Sequence, residues 1–476
     1  MCEQSLPISV LETLPAVQPG LTGQLLEGEL SRERFKVIVL DDDPTGVQTV
    51  HGIHVYTDWS EKSIAEGFAE ENRMFFILTN SRGMTQEETC AVHRDIAGRV
   101  LDASQQSGRP FVLISRSDST LRGHYPAETE TLRGEIERQG GPRFDGEILC
   151  PFFCEGGRFT LGNVHYVREG DMLVPAAMTE FAKDRTFGYA HSHLGRWCEE
   201  KTAGAYRAEE MTYIPLEMLR AADADAVAGL LMGVTGFQKV VVNAAAYEDV
   251  MVFLAGYLRA ARNGKRFLFR TAAAVPKLLG GVSDRPLLSR SELVPDGITT
   301  GGIIIVGSHV QKTTDQLNAL MRQMPDLVNL AFDVTRALES GGLEEEAARV
   351  SALADNAVRA GKTALVFTSR RRLDLEGVDK ERQLLVSVRI SDAVTSVVSS
   401  LTARPAFIVA KGGITSSDVG VKALGVRRAL VMGQAAPGIP VWKTDAGSKF
   451  PDMPYVIFPG NVGGVETLYE VVRLLR

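Results

Sequence analysis

The sequence predicts an α/β protein with two α/β domains, each built on a mainly parallel sheet, and a cleft between them. Three observations lead there. Short apolar runs recur along the chain, among them Val37-Ile38-Val39-Leu40, Phe75-Phe76-Ile77-Leu78, Phe111-Val112-Leu113-Ile114 and Val240-Val241-Val242. They are β-branched or aromatic and lack a polar face, as strands covered on both sides require. Longer amphipathic stretches alternate with them, the pattern of a sheet flanked by helices. The alternation breaks once, between Gly280 and Gly302, where Gly, Ser, Pro and charged residues crowd together, and then restarts.

Taken in order, residues 1–34 carry Pro7, Pro15, Pro19 and Gly20 without a sustained period and read as an irregular N-terminal arm. A first domain follows over 35–280. In it Thr85 and Glu88 form a capping box that opens a helix reaching about Ser104. Pro126 suits the first turn of a second helix running toward Gln139. Residues 281–301 read as a linker region, and 302–476 as a second domain. There 303–306, 364–367 and 406–409 read as strands, Thr313 with Gln316 as a helix cap, and 465–475 as a terminal helix. No repeat of 20–50 residues is visible.

The chain has 476 residues, enough for about two or three domains. Its 44% hydrophobic and 23% charged content excludes a disordered or collagen-like protein. The formal net charge of -7 gives no reason to expect a nucleic-acid partner, although a few local Arg residues suffice to hold a small anion. Cys2, Cys90, Cys150, Cys154 and Cys198 are scattered; only Cys150 and Cys154 are close, with no second pair to complete a zinc site. They read as reduced thiols, and no protein-held metal is expected. No secretory signal pattern and no apolar run of about 20 residues occurs. The expectation is a cytoplasmic protein without a membrane partner; a homo-oligomer is compatible with it.

Three polar loops follow three strands of the first domain. Asp41-Asp42-Asp43-Pro44-Thr45-Gly46 follows the first; adjacent acids repel one another unless they bind something or face water. Thr79-Asn80-Ser81-Arg82-Gly83 follows the second. Ser115-Arg116-Ser117-Asp118-Ser119-Thr120-Leu121-Arg122-Gly123-His124 follows the third. Arg116 and Arg122 offer planar forks for a carboxylate or phosphate. Asp118 is a candidate general base. Each loop alone fits a solvated turn or an internal ion pair. Together, at strand ends where open α/β sheets bind ligands, they describe a pocket for a small polyhydroxylated acid.

In the second domain Gly307-Ser308-His309, Lys411-Gly412-Gly413-Ile414-Thr415-Ser416-Ser417 and Pro459-Gly460-Asn461-Val462-Gly463-Gly464 also follow strands. Glycine turns let backbone N–H groups reach phosphates, so the three suggest a nucleotide cradle, without the P-loop or the dinucleotide fingerprint. Arg370-Arg371-Arg372 reads as a solvated charge run, with contact to a phosphate as the lesser alternative, His191 and His193 as a weak metal pair lacking a third ligand, and Trp59, Trp197 and Trp442 as core residues.

These motifs, in this order over about residues 36–476, resemble the four-carbon acid sugar kinases. The matching residues are Asp42, Asp43, Thr45 and Gly46; Thr79 to Arg82; Asp118 to Gly123; Pro151, Gly157 and Arg158; Gly307 and Ser308; Gly412, Gly413 and Thr415; and Gly460, Asn461 and Gly463. The resemblance implies an N-terminal substrate domain and a C-terminal ATP domain. It implies phosphorylation of the terminal hydroxyl of an acid such as threonate, erythronate or 3-oxo-tetronate, with Mg²⁺ carried by ATP. Ser308, Gly412, Gly413, Ile414, Thr415 and Gly460 would contact ATP. Asp42, Asp43, Arg82, Asp118, Arg122 and Arg158 would line the acid pocket. From the chemistry of the residues themselves, Asp43 or Asp118 is the expected base. Asp41, Pro44 and Ile414 depart from the pattern common in relatives. The rival reading is a haloacid-dehalogenase-type phosphatase with Asp41 as nucleophile and Asp43 as acid/base. A third is a non-catalytic sensor of nucleotide and acid.

Overall fold

The structure is a computed structural model that describes residues 3–294, 297–370, 373, 380–460 and 462–476, the side chains of 380–384 excepted. The chain divides into two compact units: residues 1–46 with 58–284, and residues 47–57 with 285–476. The strands in chain order are β1 (Leu6–Pro7), β2 (Lys36–Asp41), β3 (His54–Tyr56), β4 (Met74–Leu78), β5 (Phe111–Arg116), β6 (Gly146–Cys150), β7 (Arg158–Leu161), β8 (Val164–Glu169), β9 (Met172–Pro175) and β10 (Thr212–Ile214). They continue with β11 (Gln238–Val242), β12 (Phe267–Thr271), β13 (Ile303–Val306), β14 (Val328–Phe332), β15 (Ala364–Thr368), β16 (Ile408–Lys411), β17 (Arg428–Ala436), β18 (Ile439–Lys443) and β19 (Pro454–Phe458).

In the first unit a parallel sheet runs β10-β11-β6-β12-β5-β2-β4. The chain passes from β2 to β4 on one side and then to β5 on the other, so the strand order reverses at β2. The register sets Asp41 beside Leu78 and Arg116, which brings the loops after β2, β4 and β5 together at the reversal, where such sheets bind ligands. A small antiparallel sheet, β1-β9-β8-β7, begins its β7 edge with Arg158.

The arm is more ordered than the sequence reading allowed. Pro19 stands at the first turn of a helix over Pro19–Leu30, where a missing N–H costs nothing. Glu29 of that helix accepts from Arg259 (2.8 Å) and from Arg262 on the helix Tyr247–Arg262. A proline that looks like a breaker in an unpartnered segment here starts a helix that a neighbouring helix supports.

The second unit orders its strands β3-β17-β18-β19-β16-β13-β15-β14; β19 through β14 are parallel and β3, β17 and β18 antiparallel. The order reverses again, at β13 between β15 and β16. Residues 47–57, read within the first domain from sequence, supply β3 to this unit through its pairing with β17. The stretch read as a linker is built in as well: Leu288, Leu293 and Val294 are buried in the same core as Ile304, Val409 and Val456. Thr313 and Gln316 do not cap the helix Gln311–Gln323, whose cap position is Val310. Thr313 Oγ1 donates to Gly460 O (3.0 Å), and Gln316 Nε2 to Val462 O (3.0 Å) and Gly464 O (2.7 Å). Their value lies in tying strand-end loops to the helix. Among the described residues no helix is long and apolar enough to cross a membrane.

Candidate functional site

In the first unit the three loops converge on Arg82. Its guanidinium lies 3.3 Å from Asp42 Oδ2, 2.9 Å from Asp43 Oδ2 and 3.7 Å from Asp118 Oδ1. The surrounding acids hold that cation well above even its ordinary value, against the cost of its burial. Arg122 Nε donates to Asp118 Oδ2 (2.7 Å), and its Nη1 lies 3.7 Å from Asp184. The turn that carries the acids depends on Gly46, because a Cβ there would sit 1.9 Å from Asp41 Oδ2.

The acids are not equivalent. Burial would raise Asp43, but Arg82 and the Thr45 N–H and hydroxyl, both donating to Oδ1 at 2.8 and 2.5 Å, hold it below its usual value. Burial would also raise Asp118, yet Arg122 and Arg82, with the Thr120 hydroxyl, hold it well below the carboxylate range. For Asp42 burial wins over Arg82 and the carboxyl is pushed up; Ser117 Oγ donates to its Oδ2 (2.8 Å), and Oδ1 is buried without a partner among the described residues. Asp41 is 1% exposed, and burial pushes it up to about 8 although Arg116 Nη1 is 3.4 Å away.

Raised in the fold above its unfolded value of 3.8, Asp41 contributes stability that is full below that value and is lost as pH rises through about 8. Asp41→Asn is therefore expected to flatten the decline of stability between pH 4 and 8 and to exceed the wild type at pH 8, measured by urea midpoints. Parallel profiles for the two proteins would show that Arg116 keeps Asp41 ionised.

Arg116 was expected to bind ligand, but it is 4% exposed and turned onto Asp41, so it supports the acid turn from below. Arg158 is different. Its side chain donates to Gly156 O and stacks with Arg122 over the Phe181 ring, at 5.6 and 5.1 Å from the ring centroid. No carboxylate among the described residues lies within ion-pair distance, its Nε is buried without a partner, and burial pulls its guanidinium below the ordinary value, with Asp118 only partly compensating.

Sequence reasoning missed the supports of this cluster. Arg270, at the end of β12, donates to Glu128 Oε2 (2.6 Å) and to the Arg122 carbonyl (3.2 Å). A lone Arg inside the apolar run Phe267-Leu268-Phe269-Arg270 was the available signal. His165 is fully buried, and burial pushes it down to about 4, so it is neutral. Its Nε2 donates to Ser119 O (2.8 Å), and its Nδ1 accepts from Thr160 Oγ1 (3.0 Å). That chain pins the loop bearing Asp118. No spacing in the sequence announces it.

In the second unit a cavity of about 580 Å³ is lined by Ser308, Gly412, Gly413, Ile414, Thr415 and Gly460, all six residues expected at ATP. The loops approach closely enough to need small residues. A Cβ on Gly307 would sit 2.2 Å from Thr415 Oγ1, and Gly412 has φ +117 with Ser308 Cβ 3.2 Å from where its own Cβ would be. Val334, Ile390 and Val394 form an apolar wall, and Ile414 and Val310 leave apolar side chains 69% and 50% exposed. Backbone amides and a hydroxyl at one part and aliphatic carbons at another suit phosphates and a nucleobase. Lys411 is buried beneath Gly412, donates to Pro459 O (3.0 Å) and is pushed down to about 7 by burial, with the Lys312 charge adding to the effect. Arg371, Arg372 and Asn461, also singled out in the sequence, lie outside the described residues, as does Cys2.

Residues 37–279 match the family described as Sugar-binding N-terminal domain, and residues 303–468 the family described as Nucleotide-binding C-terminal domain. No curated protein matches the chain at a significant level. Among solved structures, one from Salmonella typhimurium LT2, provisionally described as a tRNA synthase, superposes with a TM-score of 0.63 at 17% identity, covering 93% of this chain and 100% of its own. A Haemophilus influenzae protein assigned to the family DUF1537 superposes with a TM-score of 0.56 at 15% identity, covering 92% of this chain and 100% of its own. At those identities the likeness speaks for the α/β fold. The matched domains, spanning both units in order, speak for descent: the chain belongs to the four-carbon acid sugar kinase family, built from a sugar-binding N-terminal and a nucleotide-binding C-terminal domain.

Proposed function

We propose that this protein is an ATP-dependent kinase acting on the terminal hydroxyl of a four-carbon sugar acid of the threonate, erythronate or 3-oxo-tetronate type. The observation that carries the reading is Arg158: a largely desolvated guanidinium with no acid to pair with among the described residues, beside a cluster whose other Arg side chains are matched. A desolvated cation without a counter-charge is costly, and a ligand carboxylate relieves that cost. Arg158, with Arg122, binds the acid group and so orients the far hydroxyl. Asp43 takes the hydroxyl proton, since it stays ionised at neutral pH and, among the described residues, its Oδ2 is held only by Arg82. Arg82 keeps Asp42, Asp43 and Asp118 in register, and Ser117 fixes Asp42 as a polar wall. The Ser308, Gly412, Gly413, Ile414, Thr415 and Gly460 loops hold the nucleotide; Mg²⁺, bound with the phosphates, would neutralise their charge. Catalysis on this reading is positioning plus charge neutralisation.

The phosphatase reading asks Asp41 to attack phosphorus. A carboxyl 1% exposed, turned onto Arg116 and pushed up to about 8 is a poor nucleophile at neutral pH. The test is ADP release from Mg-ATP across a panel of four-carbon sugar acids, with an acid-free control and mass analysis. A phosphorylated acid formed from one or a few panel members supports the kinase. Phosphate released from phosphorylated acids instead supports the phosphatase, and nucleotide binding without product supports the sensor.

A further inference from the structure

Four parallel neighbours, in the order β19-β16-β13-β15, aim their C-terminal ends at the cavity of the second unit. Three deliver residues already discussed: Gly460, Gly412 and Ser308. The fourth, β15, delivers Arg370, two residues beyond its last residue Thr368. The sequence favours a solvated charge run here over a phosphate contact, but the structure half-buries this residue. Its Nη2 donates to Ser308 O (2.5 Å) and Thr314 Oγ1 (3.1 Å), and its Nε to Thr314 Oγ1 (3.3 Å). Nη1 is buried and has no partner among the described residues. No carboxylate among the described residues comes within ion-pair distance, and burial alone pulls the guanidinium down from its ordinary value.

This is a cation held in place by one hydroxyl and one carbonyl, at the wall of a cavity whose described lining has no acidic residue. Holding Arg370 on the Ser308 carbonyl fixes the fork relative to the Gly412 and Gly460 turns, whose backbone suits an anion. Pinning removes much of the rotamer entropy a flexible Arg would lose on binding. Keeping an unpaired guanidinium partly buried is unfavourable until an anion arrives, and phosphate oxygens are the anion that glycine turns and a planar fork share.

We infer that Arg370 is a phosphate-binding residue of the nucleotide site, with its free Nη1 donating to a phosphate oxygen, while the apolar wall of Val334, Ile390 and Val394 takes the nucleoside end. The inference rests on the nucleotide-binding reading of this unit and adds a ligand and an orientation to it.

The test is calorimetric titration of the full-length wild type and Arg370→Gln with ATP, ADP, AMP and adenosine, with melting curves to confirm folding. ATP affinity of the variant should fall roughly 10- to 100-fold while adenosine affinity stays at the wild-type value, with ADP and AMP between. Thr314→Val, which keeps the cation and its bond to Ser308 O but removes the hydroxyl that also holds it, is measured alongside and should show the same graded pattern with a smaller loss. Equal loss for adenosine and ATP would overturn the inference by making Arg370 a structural brace. Unchanged ATP affinity in Arg370→Gln would overturn it outright while leaving the nucleotide reading intact. A wild type that binds none of the four would overturn the nucleotide reading and this inference with it.

Discussion

Asp43→Asn is expected to lower kcat by about 10²- to 10⁴-fold, the usual worth of a positioned general base, with little change in KM for the acid. The substitution keeps the shape and the hydrogen bonds from Thr45 to Oδ1 but removes the group that can accept a proton. Asp118→Asn should behave differently. Asp118 takes Arg122 Nε and the Thr120 hydroxyl on one oxygen and faces Arg82 with the other, and those cations hold it well below the carboxylate range against its burial. It is the weaker base and the stronger brace. Its loss releases Arg122 and Arg82, so KM and thermal stability should move more than kcat. Steady-state kinetics of both variants separate the roles. The reverse split would move the base to Asp118, and unchanged kcat in both would remove proton acceptance by this cluster. Because Asp43 is held below its usual value, kcat/KM should show no limb from this carboxyl between pH 5 and 8.

Arg158→Gln is expected to raise KM for the acid by about 10- to 100-fold, the equivalent of the ~1.5–3 kcal/mol typical of a hydrogen bond to a charged group. The fold should tolerate the change, since Arg158 makes no ion pair among the described residues and its Nε is already unpartnered. Melting temperature should stay level or rise, and nucleotide affinity should be untouched. Kinetics with the preferred acid and with the matching uncharged polyol test this directly. The wild type should prefer the acid strongly, and the variant should lose most of that preference. A variant that keeps full discrimination would place carboxylate recognition elsewhere, with Arg122 the next candidate.

Much of this site could be read before any coordinates. The acid turn, the Asn80-Arg82 loop and the Asp118-Arg122 loop each follow an apolar run, and a parallel strand ends where its ligand loop begins. The same logic pointed to Ser308, Gly412, Gly413 and Gly460. What could not be read is which charges face one another. Arg116 and Arg122 look alike in the sequence, six residues apart in one polar loop. Arg116 turns inward onto Asp41, because its strand register places them side by side, while Arg122 reaches Asp118 and Asp184. Arg370 could not be told apart within its charge run for the same reason: its surroundings are the Ser308 carbonyl of a strand-end loop and the Thr314 hydroxyl of the helix Gln311–Gln323. Prolines in the arm, and Thr313 with Gln316, misled because local signals describe an isolated segment and these segments are partnered.

The sequence by itself determined the α/β class, the two-part organisation, the strand-end loops and the residue types available for chemistry. It could do so because hydrophobic period and glycine placement are local properties that a one-dimensional pattern records. The tertiary structure alone decided that residues 47–57 pair into the second unit, that the order of strands reverses at β2 and at β13, and that Arg158 and Arg370 are left without acids among the described residues. Those outcomes depend on register and on long-range pairing. There a displacement by one residue turns a side chain to the opposite face of the sheet, and an Arg is matched or left free according to which loop packs beside it.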